Sequence, residues 1–211
     1  MPSVPNPEFL RRAIALATEN VVTGKGGPFA ASYDAIVRMN ADHPGDIGLV
    51  CSLLMNHRVV EPGQALFMDA GGIHAYIRGV GIELMANSDN VIRAGLTPKH
   101  IDVPELLKLT NPAVRVPLIE SRPLGDGVSV YDSPAPEFRL YLAELGSGAV
   151  SLPGTGGARV VLCTEGAGTL RTSSATLKVA KGESCYLSAA DGSVTASGPA
   201  VLFIAGSGID C

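Results

Sequence analysis

The chain has no Trp, and aromatic residues occupy only 5% of its 211 positions. Cysteine is equally scarce. Cys51, Cys163, Cys185 and Cys211 are scattered without a Cys-x-x-Cys pair, which argues against a zinc ribbon, a redox motif or a disulfide framework. Three of them sit in apolar runs, so they are expected to be buried, reduced, small hydrophobes. There is no excess of positive charge: sixteen Lys and Arg against twenty Asp and Glu give a net charge of −4. No global basic field draws nucleic acid or anionic lipid, and an anionic ligand has to be held by a few local cations. Long apolar runs are missing as well, since the stretches from Ile47 to Met55 and from Ala200 to Ala205 fall well short of the roughly 20 residues that span a bilayer. The opening Met-Pro-Ser-Val-Pro has no basic segment leading into an apolar one, as a signal peptide would. A soluble cytoplasmic protein is expected, with no membrane or nucleic-acid partner.

What is present is ordinary globular composition, with 46% apolar and 17% charged residues. The length fits one large or two small domains. The first quarter reads as helix. Asn6 can cap, Pro7 suits the first helical position, and Phe9, Leu10, Ile14, Ala17 and Val21 recur at three- or four-residue steps until Gly24. A second helix is expected around Ala31 to Met39, and a third after Pro44-Gly45 with Asp46 as its cap. From Arg58 onward, short apolar or alternating runs separated by Gly, Pro, Asp and Asn indicate antiparallel strands. They include Ala65 to Met68, Ala75 to Ile77, Ile82 to Met85, Val114 to Ile119, Val128 to Tyr131, Phe138 to Leu145, Val160 to Cys163, Leu177 to Val179, Cys185 to Leu187 and Val201 to Ile204. Phe138, Leu140 and Leu142 alternate with Arg139 and Tyr141, as in a strand with one buried face. Pro104 to Leu109 reads as one short helix between two β units. So many short strands point to a sandwich or barrel.

One segment recurs. Residues 63–74 read Gly-Gln-Ala-Leu-Phe-Met-Asp-Ala-Gly-Gly-Ile-His, and residues 182–193 read Gly-Glu-Ser-Cys-Tyr-Leu-Ser-Ala-Ala-Asp-Gly-Ser. Two copies of one β module are expected, the first ending in His74 and the second in Ser193. Gly63, Asp69-Ala70-Gly71 and His74 resemble the second metal-binding motif of the cupin superfamily, small jelly-roll barrels, although Asp69 and Arg78 stand where that motif has Pro and Asn. A neutral imidazole at a barrel mouth can bind a divalent metal. His43, His57 and His100 form no His-x-His or His-x-x-x-His pair with it. Taken alone, His74 reads as a packed core histidine, Glu83 as a residue of an apolar strand, Asp89 as a turn residue bonding its own backbone, and Arg93 and Lys99 as a solvated loop.

The stretch from Gly72 to His100, above all Ser-Asp-Asn-Val-Ile-Arg-Ala-Gly-Leu-Thr-Pro-Lys-His over 88–100, resembles the signature region of type I, zinc-dependent mannose-6-phosphate isomerases. The likeness extends upstream through Pro44-Gly45-Asp46 and 52–56, downstream through 102–106, and in weaker form to the C-terminus. The resemblance implies an aldose-ketose isomerase that interconverts mannose 6-phosphate and fructose 6-phosphate through an enediol. It implies a mainly β fold with an N-terminal helical segment. Residues 1–57 would be a helical insertion, 58–110 the later strands of a catalytic cupin with its signature loop, and 111–211 a second, metal-free cupin. His74 would be a zinc ligand, Arg93 the catalytic arginine, and Asp89 a candidate base; Tyr76, Glu83 and Lys99 would line the sugar phosphate pocket. These residue types suit the chemistry. Proton transfer between C1 and C2 needs a tuned carboxylate, an arginine holds charge beside an enediolate, and a lysine is a compact phosphate cation.

The family's other three zinc ligands include a Gln-x-His pair, and the only Gln here is Gln64. The resemblance thus implies an incomplete zinc site, in a chain that is truncated or completed by a missing N-terminal half or a homo-oligomer. A catalytically inactive cupin fragment, binding a sugar phosphate or assisting assembly, is the alternative. An iron oxygenase ranks last, for want of a second placed His.

Overall fold

The computed structural model describes residues 7–88 and 90–208. By internal contacts the chain divides into two compact units, the first from Met1–Val60, Asp69–Val80 and Asp89–Arg115, the second from Glu61–Met68, Gly81–Ser88 and Val116–Cys211. Residues 58–110 are therefore shared between the two.

The first unit is helical. Helix α1 spans Pro7–Thr23, α2 Ala30–Asp42, α3 Gly48–Ser52 and α4 Val103–Leu109. Leu10, Ile14 and Ala17 form the inward stripe of α1 and meet Ala35, Ile36 and Met39 of α2 and Leu49 of α3. Phe9 and Val21, expected on the same stripe, are exposed. At 100° per residue the packed face is narrower than the apolar pattern suggests. Burying each of the larger side chains contributes about 1.5–3 kcal/mol. Asn6, the expected cap of α1, lies outside the described residues. Asp102 caps α4, its Oδ1 accepting the Glu105 N–H at 3.0 Å. Cys51, expected to be buried, is exposed on α3, a helix of five residues with too little surface to cover every apolar position.

The second unit is β. After β1 (Gln64–Leu66), β2 (Leu118–Glu120) and β3 (Arg122–Gly125) come β4 (Val128–Tyr131), β5 (Phe138–Glu144), β6 (Val150–Ser151) and β7 (Arg159–Arg171). Strands β8 (Thr176–Ala180), β9 (Ser184–Leu187), β10 (Thr195–Ser197) and β11 (Ala200–Ser207) complete it. Among the described residues, β1 pairs with β2, and the other nine strands form one sheet in the order β3-β4-β5-β11-β7-β10-β6, with β8 and β9 also on β7. Every pairing is antiparallel. The register stacks Val130, Tyr141, Ile204, Val161 and Cys185 in one row, and Val128, Ala143, Leu202 and Cys163 in the next. These rows are the core. The buried face of β5 is therefore Tyr141 and Ala143, not Phe138, Leu140 and Leu142, which are half-buried. Both faces of β5 carry apolar groups, so alternation alone could not choose between them; the register sets Ala143 beside Leu202 and Val128, both buried.

Strand β7 changes neighbours along its length. Residues 159–162 lie between β11 and β9, and 169–171 between β10 and β8. The bend falls at Gly166, whose φ is +67°; a β-carbon there would sit 1.9 Å from the Pro199 carbonyl oxygen. Only glycine fits. Arg159 opens β7 and is 1% exposed, its guanidinium donating to Pro153 O at 3.2 Å and Gly192 O at 2.7 Å. Burial pushes that guanidinium below its ordinary value and pushes the Cys163 and Cys185 thiols up, favouring their neutral form.

Candidate functional site

Between β1 and α4 the described chain forms neither helix nor strand. The runs 75–77 and 82–85, expected as strands, are irregular: a strand needs a paired backbone, and among the described residues no strand pairs with them. The loop is tied down at a few points instead. Asn111 N–H donates to Gly71 O at 3.0 Å, Ile77 and Leu96 pack on the helical core, and Leu96 N–H donates to Asp46 Oδ2 at 3.1 Å. Asp46, expected only as a helix cap, thus reaches 50 residues along the chain, which no local pattern discloses.

His74 is exposed rather than packed in a core. Its Nδ1 lies 3.3 Å from Gly72 O, and its ring meets that of Tyr76 edge-on, centroids 6.1 Å apart at 81°. Tyr76 is 77% exposed. The structure brings these two predicted site residues into contact. Arg93 and Lys99 are exposed in the first unit, and Lys99 N–H donates to Thr97 Oγ1 at 3.2 Å. Glu83 belongs to the second unit, exposed and outside any strand, which corrects its reading as a strand residue. Asp89 lies outside the described residues. A shallow cleft in the first unit is lined by Asp42, His43, Pro44, Gly45, Asp46, Thr97 and Pro98.

Catalytic zinc takes three protein ligands and keeps a fourth position open. Among the described residues no group of three His, Cys, Asp or Glu could hold a metal ion. His74 would be one donor of such a set, which the described residues do not complete. The arrangement offers two exposed cations, Arg93 and Lys99, six residues apart in one loop, suited to an oxyanion and a phosphate.

Residues 133–205 match the family model described as mannose-6-phosphate isomerase, cupin domain. The mannose-6-phosphate isomerase of Escherichia coli K12 is 34% identical over 189 residues, covering 89% of this chain and 47% of that protein. The enzyme of Ogataea parapolymorpha is 43% identical over 148 residues, 65% of this chain and 35% of that one. In three dimensions, the mannose 6-phosphate isomerase of Salmonella typhimurium bound to its substrate fructose 6-phosphate and zinc superposes with a TM-score of 0.77 at 32% identity. It covers 97% of this chain and 55% of its own. The chain is similar to the mannose-6-phosphate isomerases. It spans about half the length of the curated relatives it matches. The residues that match the cupin-domain model, 133–205, lie in the antiparallel sheet of the second unit.

Proposed function

We propose that this chain serves the interconversion of mannose 6-phosphate and fructose 6-phosphate as the sugar-phosphate-handling portion of a zinc-dependent isomerase. One observation carries the reading: nearly the whole chain superposes on an isomerase bound to fructose 6-phosphate and zinc. In this reading Arg93 faces the enediolate oxygen, where a permanent cation stabilises developing charge without exchanging its proton. Lys99 binds the phosphate. Tyr76 and Glu83 orient the sugar, and Asp89 moves the proton between C1 and C2. His74 contributes one zinc donor, and a further polypeptide segment, the family's N-terminal half or a second copy, contributes the rest.

The test is complementation. The purified chain is mixed with the part of the Escherichia coli relative that it does not match, and fructose 6-phosphate formation is followed in a coupled assay with and without zinc. The expected result is zinc-dependent turnover in the mixture, abolished by His74→Ala and lowered about 10²–10³-fold by Arg93→Ala. A mixture that neither retains zinc nor turns over would overturn it. The lack of a three-donor cluster among the described residues favours a second reading, a sugar-phosphate-binding module without turnover. Fructose 6-phosphate bound by the chain alone, lost in Arg93→Ala, with an inactive mixture, is its signature.

A further inference from the structure

Leu96 sits midway between Arg93 and Lys99, in the left-handed backbone region with φ at +53°. A branched side chain is rarely held there unless its surroundings impose it. The surroundings here are Asp46 and the start of α3. Asp46 Oδ1 accepts the Gly48 N–H at 2.7 Å and Oδ2 accepts the Leu96 N–H at 3.1 Å, so one carboxylate joins the two segments. The backbones close tightly around it. A β-carbon on Gly95 would lie 3.2 Å from Gly48 Cα and 3.3 Å from Asp46 Oδ1, and the Leu96 side chain packs on the helical core. Asp46, Gly48 and Leu96 are all removed from full solvent exposure, which strengthens charge-assisted bonds relative to water.

We propose that Asp46 is a positioning residue, a carboxylate clasp that fixes the Arg93–Lys99 loop at Leu96 and so sets where both cations meet a sugar phosphate. The binding half of this rests on the reading of Arg93 and Lys99 given above. Asparagine at 46 keeps the size but has a single acceptor oxygen, and its amide would face one of the two N–H groups. The loop then opens while α1, α2 and the sheet stay folded.

Trypsin reads this opening directly, because the loop carries its own cleavage sites after Arg93 and Lys99. In the full chain, Asp46→Asn should raise the cleavage rate at both by about tenfold or more, the value of one lost charge-assisted bond. Cleavage after Arg38 in α2 and Lys178 in β8 should not change. In the unsubstituted protein, the Leu96 amide should exchange with deuterium at least about tenfold more slowly than that of Ala94. Fructose 6-phosphate, titrated by calorimetry, should bind Asp46→Asn about tenfold more weakly. Unchanged cleavage after Arg93, or equal acceleration after Arg38, overturns the clasp, the latter because it marks general unfolding. An opened loop that still binds the ligand at full strength overturns positioning. Arg93→Ala and Lys99→Ala variants that bind undiminished overturn the functional reading and the binding half with it, while the cleavage rates still decide the clasp.

Discussion

The two copies of the repeated segment begin alike and end differently. In the first, Gln64 N–H donates to Glu61 O at 3.0 Å, and Glu61 N–H donates back to Gln64 Oε1 at 3.0 Å. In the second, Glu183 N–H donates to Ala180 O at 2.9 Å, and Ala180 N–H donates to Glu183 Oε2 at 2.8 Å. The glycines between them have φ of +86° and +87°. After the turn, β9 runs for four residues against β7, while β1 lasts three residues against β2 and gives way to irregular chain. Four residues suffice to write a turn, because every bond in it is local. A strand's length is written elsewhere, in whatever lies beside it.

The largest effect should come from breaking what the second copy leans on. Gly166→Ala places a β-carbon against the Pro199 carbonyl at the bend of β7, the strand that pairs with β8, β9, β10 and β11. Strain and overpacking together should cost about 4 kcal/mol or more. Urea unfolding followed by far-ultraviolet circular dichroism should show the β unit losing its transition while helical signal persists. A variant as stable as the parent would show that β7 does not organise the second copy.

A smaller effect sharpens the same contrast at matched positions. Leu187 closes β9 and is buried in the core, whereas Met68, its counterpart in the first copy, is half-buried. Leu187→Ala should cost about 2–4 kcal/mol, and Met68→Ala less than about 1 kcal/mol. Equal losses in denaturant midpoint would mean that the first copy is as firmly packed as the second.

The same division explains what could be read from the sequence. Helix α1 was legible because Leu10, Ile14 and Ala17 encode their own spacing and Gly24 its own stop. The strands of the second unit were legible as runs, but not the face of β5, since choosing Tyr141 over Leu140 depends on Val130 of the preceding strand and on Ile204 far along the chain. In the site, the block from Ser88 to His100 carried the resemblance to the isomerases, and His74 and Tyr76 do meet. The bond from Leu96 to Asp46 was invisible, because Pro-Gly-Asp already has a sufficient local explanation as a helix start. Strands expected over 75–77 and 82–85 failed for the reason that shortened β1: periodicity states what a segment could do when paired and nothing about the pair.

The smallest effect contrasts surface charge in the two units. In the β unit, Arg122 grips Asp132 with two bonds, Nε to Oδ2 at 2.6 Å and a terminal nitrogen to Oδ1 at 3.0 Å, across β3 and the end of β4. In the helical unit, Arg38 Nε donates to Asp34 Oδ2 at 2.6 Å, within α2. Each arginine holds its partner carboxyl below the usual range. A carboxyl lowered on folding adds stability above its unfolded value, near pH 4, and that contribution is lost as pH falls through the folded value. Melting curves of Asp132→Asn and Asp34→Asn, each against the parent, should therefore differ most near neutral pH and converge with it in acid. The Asp132 difference should be the larger, because its two bonds tie residues ten apart in sequence, whereas the Asp34 pair restrains a turn of helix that backbone bonds already hold. Adding salt should shrink both, as expected for pairs at the surface. A difference at Asp132 that persisted below the folded value would mean that the residue acts there through its shape rather than its charge.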